Sequence, residues 1–271
     1  FTRNGRTLED PQLKVYAYEQ FNTLTPYLAI INFVGFGSPV RAIQEASNIL
    51  EVTRKFDFLA LDYVARHPDT SYIFISSGAA QAFADKWGSP GELSSIRSRL
   101  KDEELYAAAK YEAETRHRAI CEYNICDLRV FNYVSARQSL DDQFLFTDIA
   151  RAYLSGGELE TSPVDIVRDY SNYKNLVQMI EIFLRTPKNV GVDLFTKKPV
   201  SKLDLLEDLS QSVGLKYKLS EDVKIMSPTG FKLEYCPSNF KANEMGYSPS
   251  TDSIENVRLA LKEFTAVPRS R

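Results

Sequence analysis

The sequence predicts an α/β protein built on a parallel sheet. In SYIFISSGAA at 71–80 a short β-rich run ends in two serines and a glycine, and in CDLRVFN at 126–132 an apolar run ends in the polar Asn132. Between them LYAAAKYEAE, at 105–114, is Ala-rich and free of Gly and Pro, with Asp102, Glu103 and Glu104 leading in, and reads as a helix. Strand, loop, helix, strand is the rhythm of a parallel sheet, whose ligands gather at the carboxyl ends of the strands.

The other elements follow in chain order. LAIINFVGFG at 28–37 reads as a buried strand entering a turn, where Gly35 and Gly37 let the backbone approach a neighbour closely. A tight turn into the next helix accounts for the same glycines. From Pro39 to His67, Ile43, Ala46, Leu50, Phe56, Leu59 and Tyr63 approximate helical spacing, and Pro39 suits a first turn. Residues 72–76 form the strand that delivers Ser77, and DKWGSPGELSS at 85–95 reads as a loop and candidate flap. After Asn132 the alternation becomes irregular: a helix over 144–155, an exposed turn over 155–163 and an amphipathic helix over 174–185. NVGVDLF reads as a strand, KLDLLEDLSQSVGL as a helix stopped at Gly214, and 216–249 as short segments before a last helix from Thr251. No internal repeat or low-complexity stretch interrupts the chain.

Within the central helix, Tyr106 and Lys110 stand at i and i+4 and so share a face. A cation beside a phenol favours phenolate, which makes Tyr106 a candidate proton donor or acceptor. A tyrosine and a lysine on an ordinary helix face are the plain alternative.

Ser77, Tyr106 and Lys110, in that order, resemble the Ser-Tyr-Lys triad of the short-chain dehydrogenase/reductase superfamily. More narrowly they resemble its extended branch, the NAD-dependent epimerase/dehydratase family, which modifies nucleotide-activated sugars. The resemblance continues in Glu114, in Arg129-Val-Phe-Asn132, in Arg168-Asp169-Tyr170 and in the closing FKANEMGYSPSTDSIENVRLAL, and covers the chain from about Ile31 onward.

It implies a Rossmann-like, doubly wound parallel sheet whose first βα unit is missing, with a smaller mixed C-terminal substrate domain. The nucleotide-binding domain would take 1–132 with a return segment near 164–190, and the smaller domain 133–163 and 191–271. The implied activity is NAD(P)-dependent oxidoreduction at C4 of a nucleotide-linked hexose, by a 4-epimerase or a 4-ketoreductase. Tyr106 would exchange the proton, Lys110 would lower its pKa and hold the nicotinamide ribose, and Ser77 would hydrogen-bond the reacting oxygen. Gly35 and Gly37 would pass beneath the ribose and phosphates of NAD or NADP, and Arg3 would point to a 2′-phosphate, an exposed loop arginine being the alternative. Asn132 and Arg168 would bind the sugar nucleotide, since a guanidinium fork suits phosphate oxygens; a surface Arg168 paired with Asp169 is the alternative. A homodimer would form through the Tyr-Lys helix and the long helix before it.

Departures from the pattern are specific. The sequence holds neither G-x-G-x-x-G nor G-x-x-G-x-x-G, and only 12 glycines against roughly 19 at average usage. The chain opens on Phe1 rather than Met, so a fragment or processed form is expected, with the glycine loop before Phe1. GAAQAF follows Ser77 where the family has a segment ending Tyr-Gly, and YVSARQS follows Asn132 where it has a Gly-Pro loop. Gly78 and Ala79 stand where 4,6-dehydratases carry an Asp-Glu pair, which disfavours dehydration. These departures keep a second reading open, a non-catalytic nucleotide- or sugar-binding protein on the same scaffold.

Composition narrows the partners. Of 271 residues, 44% are hydrophobic and 25% charged, with a net charge of −3, which gives no reason to expect nucleic acid or an anionic membrane. No apolar run approaches the roughly 18 residues of a membrane span, and no signal-peptide pattern opens the chain. Cys121, Cys126 and Cys236 lack metal-ligand spacing and there are only two histidines, so reduced thiols in a cytoplasmic protein without a metal are expected.

Overall fold

The strand Ser71–Ser77 is apolar on both faces, and the main sheet forms around it. It pairs in parallel with Ala29–Asn32 on one side and Ile125–Val130 on the other, and Val190–Asp193 extends the sheet in parallel. The computed structural model describes residues 14–21, 26–35, 46–87, 100, 102–223 and 232–266.

Alternation along the central strand splits the core in two. Tyr72 and Phe74 pack with Ala60, Val64 and Ala113, from the helices Ala46–Arg66 and Asp102–Ala119. Ile73 faces the other way and joins Leu128, Val192 and, from the helix Tyr173–Arg185, Met179 and Phe183. Helices thus cover both faces, and the doubly wound α/β arrangement predicted from the sequence is the one formed. A further cluster gathers Phe146, Ile149, Leu159, Leu205, Leu209 and Val257 from the later part of the chain.

Local signals set the boundaries. The Asn172 side chain accepts from the Lys174 and Asn175 amides and starts one helix; Ser201 caps Lys202–Val213, and Gly214, at φ 73°, ends it.

Two readings change. The predicted loop at 85–95 is helical through Trp87, since Gly78–Trp87 runs as a helix straight off Ser77; residues 88–95 lie outside the described ones. The predicted exposed turn at 155–163 contains the strand Glu158–Thr161, paired in parallel with Lys216–Leu219. Gly156, at φ 67°, closes the helix Leu145–Ser155, and the chain then extends so that Leu159 and Thr161 point inward.

Short strands fold the later segments against the sheet. Asn132–Tyr133 pairs in parallel with Tyr170–Ser171, and Val167–Arg168 lies between Glu234–Tyr235 and Val200–Ser201. Among the described residues no helix is long and apolar enough to cross a membrane.

Candidate active site

Ser77 is the last residue of the central strand, at its carboxyl end, and is buried. The Ala79 amide donates to its Oγ at 3.2 Å, and Tyr106 on the adjacent helix lies near enough for the serine hydroxyl to act on its pKa. Ala107, Ala109 and Ala113 on that helix are buried; side chains of that size let it pack closely. Gly78 is fixed by packing, because a Cβ there would collide with the Phe131 ring.

Lys110 is 4% exposed. Its ammonium donates to the Ile75 carbonyl at 2.8 Å and sits 4.4 Å above the centre of the Phe74 ring. Burial pushes its pKa down to about 8, against the upward pull of Asp57, Glu114 and Asp127. Burial likewise raises the Tyr106 pKa, with the Ser77 hydroxyl pulling the other way. The lowering expected from Lys110 is not what this geometry shows, for the ammonium is turned onto Ile75 and Phe74.

Behind the pair, Glu114 receives the Ser76 hydroxyl at 2.5 Å and a fork from Arg129, whose Nη2 lies 2.5 Å away. Arg129 also donates to Gln81 Oε1 at 2.7 Å and lies 3.5 Å from Asp193. Burial raises the Glu114 pKa while Arg129 opposes it. Burial also works against the Arg129 charge, but Glu114 outweighs it.

The structure brings Ser77, Tyr106, Lys110 and Gly35 together; a Cβ on Gly35 would stand 3.6 Å from the Lys110 ammonium. Gly37 and Arg3 lie outside the described residues. Asn132 is held in the short strand pair, its Nδ2 donating to the Asp169 carbonyl at 3.1 Å. Arg168 donates to the carbonyls of Val167 at 2.7 Å, Lys232 at 3.0 Å and Leu233 at 3.3 Å. It is therefore not a surface partner of Asp169, which accepts from the Thr196 amide and hydroxyl instead.

Sequence reasoning missed Tyr235. Its hydroxyl lies 3.2 Å from Ser77 Oγ, and its ring packs 5.0 Å from Phe131 and under the Lys232 ammonium. Burial drives its pKa well up. Asp193 helps to hold this segment, accepting from the Ser238 and Asn239 amides at 3.0 and 2.9 Å. No periodicity in KLEYCPS marks this tyrosine, since its approach depends on the pairing of Glu234–Tyr235 with Val167–Arg168. Among the described residues no group of three or more His, Cys, Asp or Glu is arranged to hold a metal ion.

Residues 17–194 match the model of a family described as the NAD dependent epimerase/dehydratase family. Solved structures with the same fold include a UDP-glucose 4-epimerase from Thermotoga maritima with UDP-glucose. It is 18% identical with a TM-score of 0.67, over 88% of this chain and 77% of that one. RMD from Pseudomonas aeruginosa, complexed with NADPH, is 18% identical with a TM-score of 0.69, over 92% and 85%. A UDP-glucose 4-epimerase from Thermus thermophilus, complexed with NAD, is 16% identical with a TM-score of 0.68, over 89% and 78%. No curated protein matches the sequence.

Proposed function

Because the chain belongs to the NAD dependent epimerase/dehydratase family, we propose that it carries out NAD(P)-dependent oxidoreduction on a nucleotide-activated sugar, as a 4-epimerase or 4-ketoreductase. The observation that carries this reading is the placement of buried Ser77 at the carboxyl end of the central strand, beside the helix that carries Tyr106 and, one turn along, buried Lys110. The structural relatives solved with UDP-glucose, NAD and NADPH support it.

The residues fit the reactive end of a nicotinamide cofactor. A buried lysine lies against the Gly35 turn, beside a phenol and a serine hydroxyl at a strand's carboxyl end. When bound, NAD(P) supplies the hydride acceptor or donor. Ser77 orients the reacting oxygen of the sugar. Tyr106 takes the hydroxyl proton when the sugar is oxidised and returns a proton to the carbonyl oxygen when it is reduced. Lys110, held at the Ile75 carbonyl against the Gly35 turn, is placed to hold the nicotinamide ribose. Asn132 and Arg168 remain the candidates for binding the sugar nucleotide, Asn132 at the end of the 1–132 domain and Arg168 in the return segment near 164–190. A binding-only role would leave the phenol, hydroxyl and ammonium without a task.

The test is a Tyr106→Phe variant on a panel of sugar nucleotides, with cofactor release on denaturation measured beside it. Loss of the phenolic proton should lower kcat by about 10²–10⁴-fold while substrate binding persists. Undiminished turnover by the variant would remove the assigned role, and a wild type that binds neither cofactor would remove the oxidoreductase reading.

A further inference from the structure

His117 is fully buried on the helix that carries Tyr106 and Lys110, and the mechanism above does not use it. Its Nδ1 lies 2.5 Å from Asp127 Oδ1 and its Nε2 2.8 Å from Asp57 Oδ1, and both carboxylates are fully buried. A ring nitrogen that faces a carboxylate has to donate, so the ring carries both protons and a positive charge. Arg116 completes Asp57, with Nη2 2.8 Å from Oδ2, and Arg118 completes Asp127 at 2.6 Å.

The Asp57 carboxylate, which can only accept, sets the direction of a chain of protons that runs to the end of the neighbouring strand. The Tyr72 hydroxyl, 2.8 Å from Asp57 Oδ1, must donate to it. Having spent its proton, Tyr72 can only accept from Asn32, whose Nδ2 stands 3.0 Å away. That choice settles which way the Asn32 amide faces, and its Oδ1 accepts the Val34 N–H at 2.9 Å. Val34 begins the turn whose Gly35 abuts the Lys110 ammonium. A second contact leads from the same cluster to the same lysine: the Phe74 ring lies edge-on to His117 at 5.3 Å and carries Lys110 on its face.

We propose that Asp57, held by His117 and Arg116 and acting through Tyr72 and Asn32, is a positioning residue that holds the Phe33–Gly35 turn against Lys110. Its use in catalysis rests on the oxidoreductase reading above; the relay itself does not. Each link has a single direction, so deleting one oxygen breaks the chain without removing any packing.

Tyr72→Phe is that deletion, and amide-resolved hydrogen exchange is the readout. The Val34 amide should exchange about tenfold faster, the size of one lost hydrogen bond, while the Ile73 and Phe74 amides keep their protection. Thr70→Val serves as the control, since it removes another buried hydroxyl, the one donating to the Tyr27 carbonyl at 2.9 Å. It should lower the melting temperature and leave Val34 exchange alone. Unchanged Val34 exchange in Tyr72→Phe, or equal acceleration in both variants, would overturn the relay. NAD(H) and NADP(H) titrations of the two variants and wild type complete the test. Weaker cofactor binding by Tyr72→Phe alone supports the positioning role, and equal binding by all three overturns it. A wild type that binds neither cofactor removes the oxidoreductase reading, and the exchange result still decides the relay.

Discussion

Lys110 places a charge where water scarcely reaches. Its ordinary pKa of 10.5 falls to about 8 through burial, so the folded state is penalised for the charge at pH 7. The penalty lifts as pH rises from about 8 toward 10.5, because the folded protein sheds a proton that the unfolded chain still holds. Lys110→Met should therefore raise stability at pH 7 by on the order of 1 kcal/mol, after allowing for the lost bond to Ile75. In urea denaturation, the advantage over wild type should shrink between pH 8 and 10.5, and a destabilised variant at pH 7 would contradict this. At the same scale, the strand end at Ser77 and the shared face of Tyr106 and Lys110 were legible as local signals, and their grouping came from the family resemblance. Tyr235 was not, because it reaches Ser77 across 158 residues of chain.

The helix Gly78–Trp87 shows how an element can be dictated by one missing side chain. Gly78 begins it in the space beneath the Phe131 ring, where any Cβ would overlap the ring. Gly78→Ala should cost about 1–3 kcal/mol from overpacking, despite alanine's better helix propensity. Thermal denaturation would show it, and an unchanged or raised Tm would mean that Phe131 moves aside freely. The sequence shows the glycine but not its reason, which lies in a ring 53 positions away. The strand Glu158–Thr161 escapes sequence reading for a related cause. Two glycines before it signal a turn correctly, yet four residues of alternating burial are too few to be seen until Lys216–Leu219 pairs with them.

Across the whole molecule, the helix carrying Tyr106 is tied to the sheet by charge as well as by apolar packing. Burial opposes the charge on His117, but Asp127 and Asp57 prevail and raise its pKa from 6.5 to about 9. A folded pKa above the unfolded one gives stability that is complete below pH 6.5 and lost as pH rises through 9. The facing groups are Asp57, Asp127, Arg116, Arg118 and Tyr72, and the contribution is about 3 kcal/mol. Wild-type stability in urea should fall across pH 6.5–9, opposite in sign to the Lys110 effect that begins near pH 8. A His117→Gln variant should start lower and stay flatter over that window, and parallel curves would show that the charge is not what holds the helix.

Taken alone, the sequence determined the parallel α/β sheet and most of its strands and helices in chain order, a serine at a strand's carboxyl end, and a tyrosine and lysine on one helix face. Each of these is written in alternation, helical spacing or capping residues within a few positions of one another. Only the tertiary structure decided that Tyr235 shares the serine, that Arg168 donates to backbone carbonyls, and that Lys110 turns onto Ile75 and Phe74. It also decided that His117 is charged and joined through Tyr72 to the turn at Gly35. These contacts join residues far apart in the chain, and they depend on burial, which changes both the partners a polar group can reach and the charge it keeps.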